Sequence, residues 1–414
     1  MRISLGFKER DGQSEGGGMD SALPKQAVIL AGGRGTRLLE ITKDIPKPMV
    51  PFHGKPFLEY LLVYLKDQGI SEFLILLGYL SETVIEYFGD GEKWGISITY
   101  DVTSVDNDTG RRIELATPKI QEEFLLCYCD NYCPLPLEQM AVQWRESGLD
   151  AQATIYTNFD GYTKSNLRVE DAKVTVYDKT RTTPNLQGVE IGFLFAKKTV
   201  LTHFPVGENR NFEREVFPQL IASGQLGAFE TEHRYYSVGK PERLPLTEEF
   251  LKFTPTIFLD RDGVLNHKAP RGCYIESWAD WRWAEGAKEA VAALTEAGYR
   301  IILISNQAGI ARGCMSVESV EDIHRNMCRE IEEQGGRIDA IYYCPHHWDD
   351  GCRCRKPDIG MFLQASRDFH IDVSQTVFIG DDERDGFAAE RAGCGFIRID
   401  EDTSLLDASK RIIG

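Results

Sequence analysis

The sequence predicts an α/β protein of two domains, each built on a sheet flanked by helices. Three observations carry this. The chain has 414 residues, beyond the ~250–300 at which a single core stops growing. Short apolar runs alternate with segments of helical period through both halves, the pattern of parallel sheets with crossover helices. Each half also opens on an apolar strand that runs into a turn rich in glycine or carboxylate, and such folds place their chemistry at that edge.

In the first half, residues 27–30 read as a strand, 56–68 as a helix ended by Gly69, and 73–77 as the next strand. Further strands are expected at 124–129, 153–157, 174–177 and 189–195. In the second half, strands are expected at 256–259, 300–304, 340–343 and 376–379, with helices at 286–297, 317–334 and 360–369. The stretch 240–252 carries two prolines and no strand pattern. A boundary is expected there, giving domains of residues 25–245 and 246–414. Residues 1–24 are rich in glycine, serine and charge, and read as a flexible tail.

Lys plus Arg number 47 against 64 for Asp plus Glu, a net charge of −17. That argues against nucleic acid as a partner and leaves any anionic substrate to a few placed cations or a metal. No run of about 18 apolar residues occurs, and no basic segment is followed by an apolar one at the start. No membrane partner and no signal peptide are expected, and the location is expected to be cytoplasmic. Ten cysteines in such a setting suggest metal binding or core packing before disulfides. Nothing in the sequence bears on oligomeric state.

The strongest chemical signal is Asp260-Arg-Asp262-Gly263 after the apolar strand at 256–259. Two carboxylates two residues apart at a strand end can sit together, one to attack phosphorus and the other to protonate a leaving oxygen. Ser305 and Asn306 follow another strand, offering a hydroxyl and N–H groups to phosphoryl oxygens. Lys356 offers a cation, and Asp381 with its acidic neighbours offers ligands for a hard metal. This ordered set resembles the four motifs of the haloacid-dehalogenase superfamily over residues 253–400. The resemblance implies Asp260 as nucleophile, Asp262 as acid/base, and Ser305 and Lys356 as phosphoryl ligands. It implies magnesium held by Asp260, the backbone carbonyl of Asp262, and Asp381. Only 43 positions separate Asp262 from Ser305, so no large cap domain is expected and the site should be open.

Cys344, His346, Cys352 and Cys354 fall within eleven residues. Three thiols and an imidazole suit a closed, structural tetrahedral zinc site, with His347 as an alternative ligand. With Asn306-Gln-Ala-Gly-Ile-Ala-Arg-Gly313, this loop resembles the D,D-heptose 1,7-bisphosphate phosphatases and the related histidinol-phosphate phosphatases. The heptose resemblance implies that Arg355 and Lys356 face a second phosphate, a task suited to Arg's planar fork.

The first half opens with Gly32-Gly33-Arg-Gly35-Thr36-Arg37, followed by Pro46-Lys47-Pro48-Met49. It is neither a Walker loop nor a dinucleotide fingerprint, because no Gly-Lys-Ser/Thr follows and Leu38 stands where a third glycine belongs. The pair resembles the sugar-phosphate nucleotidyltransferases, with their Rossmann-like fold, over residues 25–245. That resemblance implies a triphosphate cradle from Gly32, Gly33, Gly35 and Thr36. Arg37 and Lys47 would neutralise phosphates, Asp130 would hold magnesium, Lys179 would bind a sugar phosphate, and Glu190 would contact the sugar. Ser237 stands where the family carries a second metal aspartate, and serine is the poorer magnesium ligand. Cys127 and Cys129 fall on one face of a strand and read as buried packing with Cys133. Tryptophans 278, 281 and 283 also read as packing.

Together the two resemblances imply small-molecule partners, a sugar phosphate and a nucleoside triphosphate. A heptose bisphosphate phosphatase would supply the 1-phosphate that a transferase activates, with GTP as first choice. Three other readings stay open: a phosphatase carrying an inactive transferase-like module, a histidinol-phosphate-type phosphatase, and both activities on another sugar.

Overall fold

The computed structural model describes residues 2–5, 23–270 and 272–414. The chain divides into two compact units at Leu251 and Lys252.

The N-terminal unit is built on nine strands. In spatial order these are Leu167–Glu170, Lys173–Tyr177, Leu226–Thr231, Ala151–Tyr156, Val189–Lys197, Glu123–Tyr128, Gln26–Ala31, Glu72–Leu77 and Ser97–Val102. The last four are mutually parallel. Val189–Lys197 runs antiparallel to both of its neighbours, and the first two strands form an antiparallel hairpin. The sheet is therefore mixed where an all-parallel one was expected. Apolar periodicity reports burial and not strand direction, and the hairpin turn uses Asp171 and Ala172, both at positive φ (50° and 57°), without the Asn-Gly signature that marks such turns.

Side-chain alternation splits the strand Gln26–Ala31 between two cores. Ala27, Ile29 and Ala31 face helices Phe57–Asp67 and Leu137–Ser147. Val28 and Leu30 face Thr109–Ala116 and Phe212–Ala222. Burial on both faces explains the unbroken apolar run.

The segment expected as a linker is instead the helix Leu244–Leu251. Leu251 joins the first core, and the Thr247 hydroxyl accepts from the Ser237 N–H and donates to the Ser237 carbonyl, both at 3.1 Å. Pro241 and Pro245 lie before and within the first turn of this helix, where a missing N–H removes no intrahelical bond. The boundary accordingly falls at Leu251/Lys252 and not at 245/246.

The C-terminal unit holds six parallel strands in the order Arg2–Leu5, Ala340–Cys344, Arg300–Asn306, Thr256–Leu259, Val377–Gly380 and Gly395–Arg398. Residues 2–5 thus depart from the expected tail and pair with Ala340–Tyr343; their Arg-Ile-Ser-Leu alternation suits a strand. Residues 6–22 of that expected tail lie outside the described residues. Helices cover both faces. Val317–Glu332 turns Val320, Ile323, Met327 and Ile331 into the core, the spacing of a single helical stripe. Between Asp262 and Ser305 the described elements are the short turn Trp278–Asp280, the helix Ala287–Glu296 and the strand itself, so among the described residues no cap domain is inserted there. Among the described residues no helix is long and apolar enough to cross a membrane.

Candidate active sites and metal centre

The parallel strands of the C-terminal unit end together, and their ends carry the residues singled out above. Asp260 follows Thr256–Leu259, and its N–H bonds Ile379 O across the sheet at 2.9 Å. Its Oδ1 accepts from the Arg261 N–H at 2.8 Å and lies 3.0 Å from Lys356 Nζ. The same ammonium is 2.7 Å from Asp385 Oδ1. Burial pushes Asp260 up to about 7 despite Lys356, with Asp385 and Asp262 adding to the rise.

Asp262 has a different environment. Its carboxylate receives Arg261 Nη2 at 3.1 and 2.8 Å, Asn266 Nδ2 at 2.9 Å and Gln307 Nε2 at 2.9 Å. Burial opposes its charge, but the Arg261 charge and these hydrogen bonds outweigh it and hold the carboxyl below its usual range. Gly263, at φ +97°, brings this turn against Asp381, since a Cβ there would lie 2.3 Å from Asp381 Oδ2. Only glycine supplies both that backbone and that closeness.

Ser305 is buried and its Oγ accepts from Gln307 Nε2 at 2.9 Å. Asn306, expected to touch substrate, clamps the Lys356 backbone from both sides: Nδ2 donates to Lys356 O and Oδ1 accepts from Lys356 N, each at 3.0 Å. One carboxylate oxygen each from Asp260, Asp381 and Asp385 lie within 4.8 Å of one another, a hard-oxygen set that fits a divalent cation. Asp382 caps the helix Glu383–Ala392, pairs with Arg384 at 2.9 Å and lies 3.4 Å from Lys268 Nζ at the cavity wall. A cavity of about 740 Å³ opens over Asp260, Ser305 and Lys356, with Arg355, Arg312 and Lys268 on its walls.

Sequence reasoning missed Arg261, Gln307 and Lys268, which pairs with Asp381 at 2.8 Å. Asp385 was signalled only as one carboxylate in an acidic run. Arg261 is 1 % exposed between two site carboxylates, a placement that residue type alone does not suggest.

Cys344, His346, Cys352 and Cys354 converge, with one donor atom each inside 4.8 Å of all the others. Cys344 Sγ is 3.6 Å from both His346 Nδ1 and Cys352 Sγ, and His346 Nδ1 is 3.2 Å from Cys354 Sγ. These separations suit the corners of a small tetrahedron around a soft-ligand metal. The Cys354 thiol leads in holding Cys344 down to about 5. His347 lies outside this group, its ring tilted against Trp348 at 3.7 Å, and takes the Asp349 N–H at 3.3 Å. Cys127, on the strand Glu123–Tyr128, and Cys129 and Cys133 beyond it are buried in the core, and tryptophans 278, 281 and 283 pack on one another.

In the N-terminal unit, the Gly32 to Thr36 loop follows the strand Gln26–Ala31 and closes with Thr42 Oγ1 donating to Gly35 O at 3.1 Å. Gly33, Thr36 and Arg37 are exposed. Lys47 Nζ pairs with Asp130 Oδ2. Ser237 lies beside Asp130: a Cβ on Gly239 would be 3.8 Å from Ser237 Oγ and 3.9 Å from Asp130 Oδ2. Lys179 is held by Glu213 Oε2 and Asn211 Oδ1, each at 2.9 Å. Glu190 folds onto the Gly192 N–H at 2.5 Å, and burial pushes it up to about 7, against Gly192 and Lys179. Lys47, Asp130 and Ser237 are thus brought together, whereas Arg37 stays outside that group.

Known proteins resemble the two units separately. The Nucleotidyl transferase family matches residues 26–163, and the Polynucleotide kinase 3 phosphatase family matches residues 256–401. The D-glycero-beta-D-manno-heptose-1,7-bisphosphate 7-phosphatase of Bordetella bronchiseptica is 41 % identical over 138 residues, 33 % of this chain and 76 % of that protein. The crystal structure of the B. bronchiseptica D,D-heptose 1,7-bisphosphate phosphatase, complexed with magnesium and phosphate, is 33 % identical, covering 38 % of this chain and 98 % of that one, with a TM-score of 0.37. HddC from Yersinia pseudotuberculosis, complexed with GMP-PN, is 27 % identical, covering 55 % of this chain and all of that one, with a TM-score of 0.47. Through its C-terminal unit the chain belongs to the D-glycero-D-manno-heptose 1,7-bisphosphate 7-phosphatase family, and it carries that unit together with a nucleotidyl transferase domain.

Proposed function

We propose that the chain catalyses two consecutive steps on one sugar phosphate. The C-terminal unit removes the 7-phosphate of D-glycero-D-manno-heptose 1,7-bisphosphate. The N-terminal unit joins the resulting 1-phosphate to a nucleotidyl group, from GTP, with release of pyrophosphate. The pairing of a heptose bisphosphatase with a nucleotidyl transferase in one chain carries this reading.

In the phosphatase step, an Asp260 oxygen attacks phosphorus and the bond to the leaving oxygen breaks, giving an aspartyl phosphate. Asp262 hands a proton to that leaving oxygen. Four N–H contacts keep Asp262 ionised at rest, so it first takes a proton from the entering phosphate monoester. Water then attacks the aspartyl phosphate with Asp262 as base, releasing inorganic phosphate. Lys356 and Ser305 orient the phosphoryl oxygens, and Arg355 on the cavity wall receives the second phosphate. Asp260, Asp381 and the Asp262 carbonyl, with Asp385 close by, would hold magnesium. When bound, that ion supplies charge stabilisation at phosphorus. Zinc at Cys344, His346, Cys352 and Cys354 would be structural, since four protein ligands leave no open position. It would shape the loop that presents Arg355 and Lys356.

In the transfer step, a 1-phosphate oxygen attacks the α-phosphorus of the triphosphate and pyrophosphate leaves. The backbone from Gly32 to Thr36 cradles phosphates, Lys47 and Arg37 neutralise them, and Lys179 and Glu190 take the sugar phosphate. Asp130 would hold magnesium there. Incubating the protein with sugar bisphosphates and nucleoside triphosphates, with products resolved by mass, tests the whole reading. A second reading has the N-terminal unit bind ligand without transfer, and Ser237 beside Asp130 favours it. Absence of pyrophosphate release with any sugar 1-phosphate would select that reading.

A further inference from the structure

Arg112 is a buried cation whose contacts are all neutral. It stands in the helix Thr109–Ala116, capped by Asp108, and is 3 % exposed. Its guanidinium reaches the edge where strands Gln26–Ala31 and Glu72–Leu77 end. Nη2 donates to Gly32 O at 3.1 Å, Ser104 O at 2.9 Å and Val105 O at 3.1 Å. Nη1 donates to Leu77 O at 2.8 Å and Thr103 Oγ1 at 2.7 Å. Among the described residues no carboxylate oxygen lies within 4.0 Å of it. Burial pulls its pKa down, and the more distant Asp108 only partly opposes this. A buried charge without a counter-charge in contact is costly to keep.

The surrounding sequence is shaped by this side chain. A Cβ at Gly32 would lie 2.4 Å from Arg112 Cζ, and one at Gly78 would lie 2.6 Å from both Arg112 Nη1 and Gly32 O. Both positions therefore require glycine. The Gly32 carbonyl is held twice, by Arg112 and by the Tyr79 N–H at 3.2 Å. In a trans peptide the carbonyl and the following N–H point in opposite directions. Tethering Gly32 O inward thus directs the Gly33 N–H outward, and Gly33 is exposed.

We propose that Arg112 is the positioning residue of the triphosphate site: it fixes the Gly32 peptide so that the loop offers N–H groups to phosphate, and its unneutralised charge favours an anion there. A bound triphosphate supplies the missing counter-charge. The inference rests on the nucleotidyl transfer reading.

The test uses the full-length chain with Arg112→Met and Arg112→Lys. Inorganic tripolyphosphate binding is measured by calorimetry at two salt concentrations, and the KM values for triphosphate and sugar 1-phosphate are measured separately. Arg112→Met should weaken tripolyphosphate binding by about tenfold or more, the worth of a charge-assisted contact. It should raise the KM for triphosphate comparably and leave that for sugar phosphate unchanged. Arg112→Lys retains charge but cannot span five acceptors, so it should recover part of the tripolyphosphate affinity without returning the triphosphate KM to the wild-type value. If the methionine variant does not fold, the lysine variant carries the test alone. Unchanged tripolyphosphate affinity in a folded variant, an equal rise in both KM values, or a wild type that does not bind tripolyphosphate would overturn the inference. Arg112-dependent tripolyphosphate binding without any pyrophosphate release would support it and overturn transfer instead.

Discussion

Lys356 and Asp385 form a buried ion pair, with Nζ 2.7 Å from Oδ1 and each side chain 2 % exposed. The ammonium that faces Asp260 is therefore held from behind by a second carboxylate and from its own backbone by Asn306. It is a fixed charge, not a mobile one.

Asp385→Asn should accordingly lower phosphatase kcat by ~10²-fold, the scale of displacing a reacting group by an ångström, while pyrophosphate release stays unchanged. Steady-state kinetics of both activities in one preparation checks this. A variant with wild-type phosphatase kcat would contradict the positional role of the pair.

The Cys344, His346, Cys352 and Cys354 cluster predicts about one zinc per purified chain. Cys352→Ser should lose that metal and lower the melting temperature of the C-terminal unit by about 5–10 °C. Metal analysis and calorimetry check it; zinc-free protein with unchanged melting and full phosphatase activity would remove the metal from the account.

His324 is fully buried, and its Nε2 faces Arg261 Nη1 at 3.3 Å. Burial, with the Arg261 charge adding, holds it down to about 3, so the native state keeps it neutral while the unfolded chain protonates it near ~6.5. Its folded pKa is depressed, so its contribution is complete above ~6.5 and is lost as pH falls toward 3, at up to ~1.4 kcal/mol per pH unit. His324→Gln should flatten the loss of denaturation midpoint between about pH 6.5 and pH 4. Equal slopes for the two proteins would contradict it.

Lys47→Ala should slow pyrophosphate release by ~10²–10³, the usual cost of removing a preorganised charge. Ser237→Asp should lower the magnesium concentration needed for half-maximal release, because a carboxylate would join Asp130 on the same side of Gly239. A magnesium titration checks both. If Ser237→Asp leaves the titration unchanged, the metal does not lie between these two residues.

The legibility of these features in the sequence follows from how local they are. Asp260, Ser305, Lys356 and Asp381 each lie at or just beyond a strand end or beside a marked loop, and the six-stranded sheet gathers them at one edge. The Cys/His cluster was legible because its four donors lie within eleven residues. Arg112 was not, because its partners come from three separate strand ends and the loop that follows the last of them. Arg261 and Gln307 were missed because burial, not residue type, makes them ligands of Asp262. The antiparallel strand Val189–Lys197 was placed but not oriented, since an apolar run buried on both faces reads the same in either direction.

The most direct test of the two-step account is Asp260→Asn, which removes the carboxylate proposed to attack and keeps its shape. The variant is incubated with heptose 1,7-bisphosphate and GTP, and separately with heptose 1-phosphate and GTP, and the products are resolved by mass. The account predicts no inorganic phosphate and no 7-dephosphorylated nucleotide sugar from the bisphosphate, and normal nucleotide sugar from the 1-phosphate. A variant that still makes the dephosphorylated product from the bisphosphate would show that Asp260 is not the nucleophile. A wild type that cleaves histidinol phosphate far faster than the bisphosphate would contradict the heptose assignment itself.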